Sequence, residues 1–271
     1  MYGLEPNYGC CTANFNQGWP KFANMVMYNT ADKGGAVAIW APASANLGNG
    51  ATVDVDTDYP YEDAATVTVT NAKAGMPLYL RIPGWAEGTT VNGKAAKENT
   101  MAKFVCTAGS NTFVVKFAPK IRLEQWGDGD ATTMPYSVLR GPLLYSLPIE
   151  GNYTVTAHHY GGPNDSNDYE VRPNTPWQYA LVADPKNPES GFKFNQGSYA
   201  AGAAPFNHTG WPVTITATLK ELPSWGMKDN SAAEPPASPA CGTAGACGKS
   251  TTVQLVPHGG TDLRIGEFPL A

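Results

Sequence analysis

At 271 residues the chain exceeds one ordinary sandwich core and suits two domains. Only 15% of residues are charged, against 29 Gly, 23 Pro and 13 Tyr, a composition of short strands and many turns rather than long helices, and 42% hydrophobic residues exclude a disordered chain. A net charge of −5 with 18 scattered basic residues argues against nucleic acid as a partner, and no apolar run reaches the roughly 18–20 residues of a membrane span.

In chain order, the first element is a helical pattern over 12–28, where Phe15, Trp19, Phe22, Met25 and Val26 recur at three- and four-residue intervals and Pro20 marks a first turn or a kink. One such helix cannot bury its face alone. From Gly35 onward short alternating runs take over, at 36–40, 52–56, 65–70 and 78–82. In Thr66-Val67-Thr68-Val69-Thr70 the valines face one way and the threonines the other, the period of a half-buried antiparallel strand. Pro83-Gly84 ends a strand, and Asn92-Gly93 predicts a two-residue hairpin turn in which both residues take positive φ. Runs at 103–106 and 112–117 complete a first β-sandwich, placed at 30–130. Residues 131–150, an apolar run broken by Gly141-Pro142, read as a crossing segment. Runs at 177–182, 213–219, 252–256 and 263–265 make a second, less regular β unit over 151–271. Within it, 230–250 is rich in Pro, Gly and Ala and reads as an exposed loop, where Cys241 and Cys247 are placed to close a small surface disulfide. The fold class is therefore all-β: two sandwich-like units behind one short helical segment, 1–29.

Several motifs carry little chemistry. Gly245 to Ser250 imitates a phosphate loop, but Thr243 stands where a glycine is required and a strand follows where a helix should. His158 and His159 point to opposite faces of a strand, and His208 and His258 stand in no constellation. Asp54, Asp56, Asp58, Asp128 and Asp130 lack a complete calcium loop and read as solvated turn and strand-end carboxylates. Five cysteines are an odd number, so at least one is not paired within the chain. The vicinal pair Cys10-Cys11, just before the helical pattern, is poorly suited to a mutual disulfide. Two readings stay open for it: buried packing, or thiolates favoured by a helix N-terminus and available as nucleophile or metal ligand.

Tyr8-Gly-Cys-Cys-Thr-Ala-Asn14 with Gly18-Trp-Pro-Lys-Phe22 resembles glycoside hydrolase family 127, the β-L-arabinofuranosidase-like enzymes. The stretches Leu78–Ala86 with Val91–Gly93, Leu139–Tyr145, Leu255–Gly260, Leu263–Ile265 and Phe268-Pro269 agree in the same order. The resemblance implies an (α/α)6 barrel before the motif, of which 1–29 would be the last helical segment, and β-sandwiches after it. It implies Cys10 as the nucleophile of a retaining glycosidase, and Cys10 with Cys11 as two of four zinc ligands. The other two ligands, a Glu and a Cys, and the Glu acid/base would come from the barrel. A chain holding half a site is expected to be inactive alone, with a furanoside-containing glycan as the partner of the whole. The alternative is a non-catalytic structural or glycan-binding β-sandwich protein derived from such an enzyme.

The first seven residues lack the regions of a signal peptide, leaving an intracellular protein or a chain whose real N-terminus is absent. Sequons at Asn152, Asn164 and Asn207 favour a secreted, extracellular glycoprotein.

Overall fold

The computed structural model describes residues 9–127, 129–130, 132–158, 167–198 and 210–271. The expected single helix is two short ones, α1 (Gly9–Asn14) and α2 (Gly18–Asn24), joined by a 3-10 turn at Phe15–Gln17. Gly18, which favours no helix, falls at this joint, and Pro20 sits in the first turn of α2, where its missing N–H costs nothing. The helix stops at Asn24 because Val26 turns into the following β unit: it is buried, and its carbonyl accepts from Ala38 N–H at 2.9 Å.

The chain divides at Pro119/Lys120 into two units. The first holds β1 (Met27–Asn29), β2 (Gly35–Val37), β3 (Ala43–Asn46), β4 (Thr52–Asp56), β5 (Ala64–Ala72) and β6 (Pro77–Ile82). The short pair β7 (Thr90–Val91) and β8 (Lys94–Ala95), then β9 (Thr100–Val105) and β10 (Gly109–Lys116), complete it. These strands form two sheets, ordered β1-β2-β6-β9 and β3-β4-β5-β10-β7-β8. Alternation makes the sandwich: Ala65, Val67 and Val69 of β5 go inward with Val53 and Val55, against Val37, Leu78, Leu80 and Ile82 of the other sheet, while the threonines of β5 stay outside. Burying each of these valines, leucines and isoleucines contributes about 1.5–3 kcal/mol before entropy is counted.

The Asn92-Gly93 turn joins β7 to β8 with φ of 50° and 75°. Asn92 also acts as a strand residue, accepting Val114 N–H on its side-chain oxygen at 2.7 Å. Pro83-Gly84 ends β6 as expected, and Trp85 joins Tyr59, Trp40 and Phe117 in an aromatic cluster. The parallel pairing of β2 with β6 depends on a close approach: a Cβ on Gly34 would lie 2.1 Å from the carbonyl oxygen of Pro77. Backbone cannot yield as a side chain can, so Gly34→Ala is expected to cost about 1–3 kcal/mol in denaturant unfolding. Gly18→Ala, where a Cβ meets nothing within 4 Å, is the control and should gain up to about 1 kcal/mol.

The second unit begins earlier than residue 130, because β11 (Ile121–Glu124) pairs with β12 (Ser137–Arg140). Nor do 131–150 form a crossing segment. β12 and β13 (Leu143–Ile149) are a hairpin turned on Gly141-Pro142, with Gly141 at φ 56°. The sequence is apolar on either side of that turn because the middle of both strands is buried. There follow the hairpin of β14 (Gly151–His158) and β15 (Asn167–Pro173), then β16 (Tyr179–Leu181), β17 (Phe192–Gln196) and β18 (Val213–Glu221). A small hairpin of β19 (Met227–Lys228) and β20 (Ser231–Ala232) precedes β21 (Ser250–Pro257) and β22 (Leu263–Ile265). The main sheet runs β11-β12-β13-β21-β18-β16, with β17 also on β18 and β22 on β13. Its inward residues include Tyr145, Leu147, Leu181, Ile215, Leu219, Leu255 and Phe268.

The Pro/Gly-rich loop of 230–250 is not simply exposed. Ser238 is buried, donates backbone N–H to Thr133, and its hydroxyl oxygen accepts Leu270 N–H at 2.9 Å, while Ala240 N–H donates to the Leu270 carbonyl. The loop thus straps the C-terminal strip, whose backbone groups would otherwise lack partners.

Candidate functional site

Cys10 and Cys11 lie inside α1 rather than before it, so the expected thiolate-favouring position ahead of a helix is not the one observed. A helix of six residues has little macrodipole to offer. Local side chains brace the segment instead: Asn14 Nδ2 donates to the Cys10 carbonyl at 2.6 Å, and Gln17 Nε2 donates to Asn14 Oδ1 at 2.6 Å. Residues 10, 14 and 17 share one helical face, so Asn14 holds the backbone under Cys10. Cys10 is exposed. The side chain of Cys11 lies outside the described residues.

Beside this brace is an apolar surface. Trp19 is 74% exposed and Phe22 43%, the two rings meeting edge to face at 6.3 Å, and Met25 is 52% exposed. No residue of α2 is buried. Of the apolar positions read from the sequence, Trp19, Phe22 and Met25 are exposed with nothing among the described residues covering them, Val26 is buried, and the side chain of Phe15 lies outside the described residues.

Among the described residues no group of three or more His, Cys, Asp or Glu could hold a metal ion. Two cysteines do not define the four-ligand geometry of zinc, so the chain by itself does not fit a closed zinc site. The carboxylates of β4 behave as solvated groups: Asp54 and Asp56 alternate outward with the buried Val53 and Val55. Asp130 accepts the Thr132 N–H and hydroxyl, which hold its carboxyl below the usual range, and Asp128 lies outside the described residues. His159 and His208 also lie outside them, as does the side chain of His158.

His258 does stand in a constellation, contrary to the sequence reading. Its Nδ1 is 2.7 Å from Ser146 Oγ, and Arg264 Nε donates to its Nε2 at 2.9 Å. Accepting from arginine fixes Nε2 as the bare nitrogen, so Nδ1 carries the proton and donates to the buried Ser146. A Ser-His pair in that tautomer cannot take the serine proton, which excludes a serine nucleophile here. The pair was illegible in sequence because 112 residues separate its members.

Burial, then the neighbouring Arg264, lowers the His258 pKa. A folded pKa below the unfolded value near ~6.5 means that the stability it contributes is complete above that pH and is lost as pH falls toward the folded pKa. His258→Gln, whose amide can accept from Arg264 and donate to Ser146, is expected to flatten the acid-side loss of melting temperature between about pH 7 and 5. For one proton that loss is at most about tenfold in the folding constant per pH unit.

Cys241 and Cys247 are joined in a disulfide with Cα atoms 5.2 Å apart, and Cys106 is a buried free thiol. Asn152 is exposed on β14, while Asn164 and Asn207 lie outside the described residues.

Residues 36–112, from β2 to β10, match the family model for the beta-L-arabinofuranosidase GH127 middle domain. Solved structures similar to the chain include a glycoside hydrolase, at 18% identity over 97% of this chain and 40% of the other, with a TM-score of 0.60. A GH127 beta-L-arabinofuranosidase from Geobacillus stearothermophilus T6 matches at 18% identity over 93% and 35%, TM-score 0.55. A GH127 beta-arabinofuranosidase matches at 15% identity over 97% and 38%, TM-score 0.59. No curated protein matches. The chain thus shares the fold of the C-terminal part of GH127-like proteins and spans about two fifths or less of the structures it resembles.

Proposed function

We propose that the chain is the β-sandwich portion of a retaining, β-L-arabinofuranosidase-like glycoside hydrolase whose remaining part includes a helical barrel. The observation that carries this reading is the uncovered apolar face of α2 beside Cys10: Trp19, Phe22 and Met25 are large, exposed and adjacent, as a helix torn from a helical layer would be. The GH127 middle-domain match over 36–112 lies shortly after that segment and supports the choice of reaction class.

In this reading the Cys10 thiolate attacks the anomeric carbon of a non-reducing-end furanoside while a barrel glutamate protonates the departing oxygen. Water, deprotonated by the same glutamate, then cleaves the thioglycosyl bond, and two inversions give retention. Cys10 and Cys11 would be two zinc ligands, completed by a Glu and a Cys of the barrel; bound zinc would lower the thiol pKa. Asn14 would position Cys10 through its carbonyl. Export belongs to the same proposal, since the bonded Cys241 and Cys247 suit an oxidising compartment and Asn152 is accessible to a glycan. The test is hydrolysis of an aryl β-L-arabinofuranoside by this chain alone and by the protein that joins it to a barrel. Turnover only in the joined protein supports the reading; inactivity of both favours the second one, a non-catalytic glycan-binding protein. The observation favouring that second reading is the half-exposed pair Tyr153 and Tyr169, edge to face at 6.1 Å on the β14–β15 hairpin.

A further inference from the structure

A cleft of about 780 Å³ opens in the second unit, where the end of β13 and the start of β14 face β21 and the loop before β22. Its size falls within the roughly 300–1,000 Å³ of small-molecule sites. Six of its lining residues matter here: Glu150, Tyr153, Asn174, Trp211, Gln254 and Asp262.

The cleft is built before any ligand arrives. Trp211 donates its indole N–H to the Gly260 carbonyl at 2.8 Å, which uses its polar atom and fixes its ring. The Tyr153 hydroxyl donates to the Asp262 carboxylate at 3.0 Å, and the Tyr169 ring backs it from the side. Asn174 N–H donates to the Glu150 carbonyl at 2.7 Å and Glu150 N–H to the Thr175 hydroxyl at 3.1 Å, tying one wall to the other. Gly151 lets the Tyr153 ring sit close to the backbone, since a Cβ there would come within 2.8 Å of the ring.

The chemistry of the lining selects its ligand. Two carboxylates and two side-chain amides present acceptors for hydroxyl groups, while Trp211 and Tyr153 offer flat carbon faces to ring C–H groups. Among the described residues the lining contains no lysine, arginine or histidine to neutralise a phosphate, sulfate or uronate, and its two acidic groups repel them. A cation is disfavoured as well, since no group of three ligating side chains gathers anywhere among the described residues. We infer that this cleft binds an uncharged sugar ring of an oligosaccharide, stacked on Trp211 and Tyr153 and hydrogen-bonded by Gln254, Asn174 and the acidic pair.

The inference does not rest on Cys10 or on hydrolysis, and the cleft lies outside the 36–112 segment that the family model matches. Calorimetric titration of the 271-residue chain with neutral arabino- and xylo-oligosaccharides, and with an oligogalacturonate as the anionic comparison, tests it. At least one neutral probe is expected to bind, with affinity falling roughly tenfold or more in Trp211→Ala and in Gln254→Ala. Gln254 is exposed, so its variant stays folded if the tryptophan variant does not. Trp19→Ala is expected to bind as the parent chain does, which keeps this result separate from the helical segment that carries the thiol. The inference is overturned if no neutral probe binds below about 10 mM, if Gln254→Ala leaves the affinity unchanged, or if the galacturonate binds more tightly than every neutral sugar.

Discussion

Cys10→Ser is expected to lower furanoside turnover by the barrel-joined protein on the order of 10³-fold or more, because a serine hydroxyl is not ionised near neutral pH and a nucleophile acts as one unit with its acid/base partner. Substrate binding should change far less, so the loss appears in kcat rather than KM. Intact-protein mass after brief exposure to a slow aryl β-L-arabinofuranoside provides an independent readout: one pentosyl adduct on the native protein and none on the variant. The chain alone is expected to show no turnover with or without zinc, since the missing general acid is itself worth roughly 10²–10⁴-fold and the described residues hold no metal-binding group. Full activity in the serine variant would remove Cys10 from the chemistry; turnover by the isolated chain would remove the need for a barrel.

How much of this was visible in the amino-acid order depends on the range of the interaction that carries it. The alternation of β5, the stop at Pro83-Gly84 and the Asn92-Gly93 turn were legible because pleat, proline and positive φ are local properties. The amphipathic face of 12–28 was legible too, but its break was not: only docking of Val26 in the core ends α2 at Asn24. The boundary was misplaced for a related reason, as nothing within 121–124 announces that this strand pairs with 137–140. Cleft and Ser146–His258–Arg264 chain were invisible for want of sequence neighbours. At Asn152-Tyr153-Thr154 the sequon drew attention to the asparagine, while its neighbour Tyr153 turned out to line the cleft.

β18 is paired along most of its length on both sides, with β21 on one and β16 and β17 on the other. Val213, Ile215, Ala217 and Leu219 alternate inward along it, and Leu219 is fully buried. Leu219→Ala removes that side chain from the centre of a sheet paired on both sides, where neighbours have little room to collapse, and should cost about 2–5 kcal/mol in denaturant unfolding. Thr218→Ala, on the opposite face of the same strand, should cost no more than about 0.5 kcal/mol. The same register sets Ile215 opposite Leu255, so the inward anchoring of β21 is what turns its neighbour Gln254 outward to the cleft. At temperatures where the Leu219→Ala protein remains folded, its sugar affinity should therefore stay within about threefold of the parent chain's, because a cavity on the core face leaves the register unchanged. A stability loss below about 1 kcal/mol would show that Leu219 is not the core residue its burial makes it, and lost affinity in a folded variant would show that the cleft depends on core packing as well as on strand register.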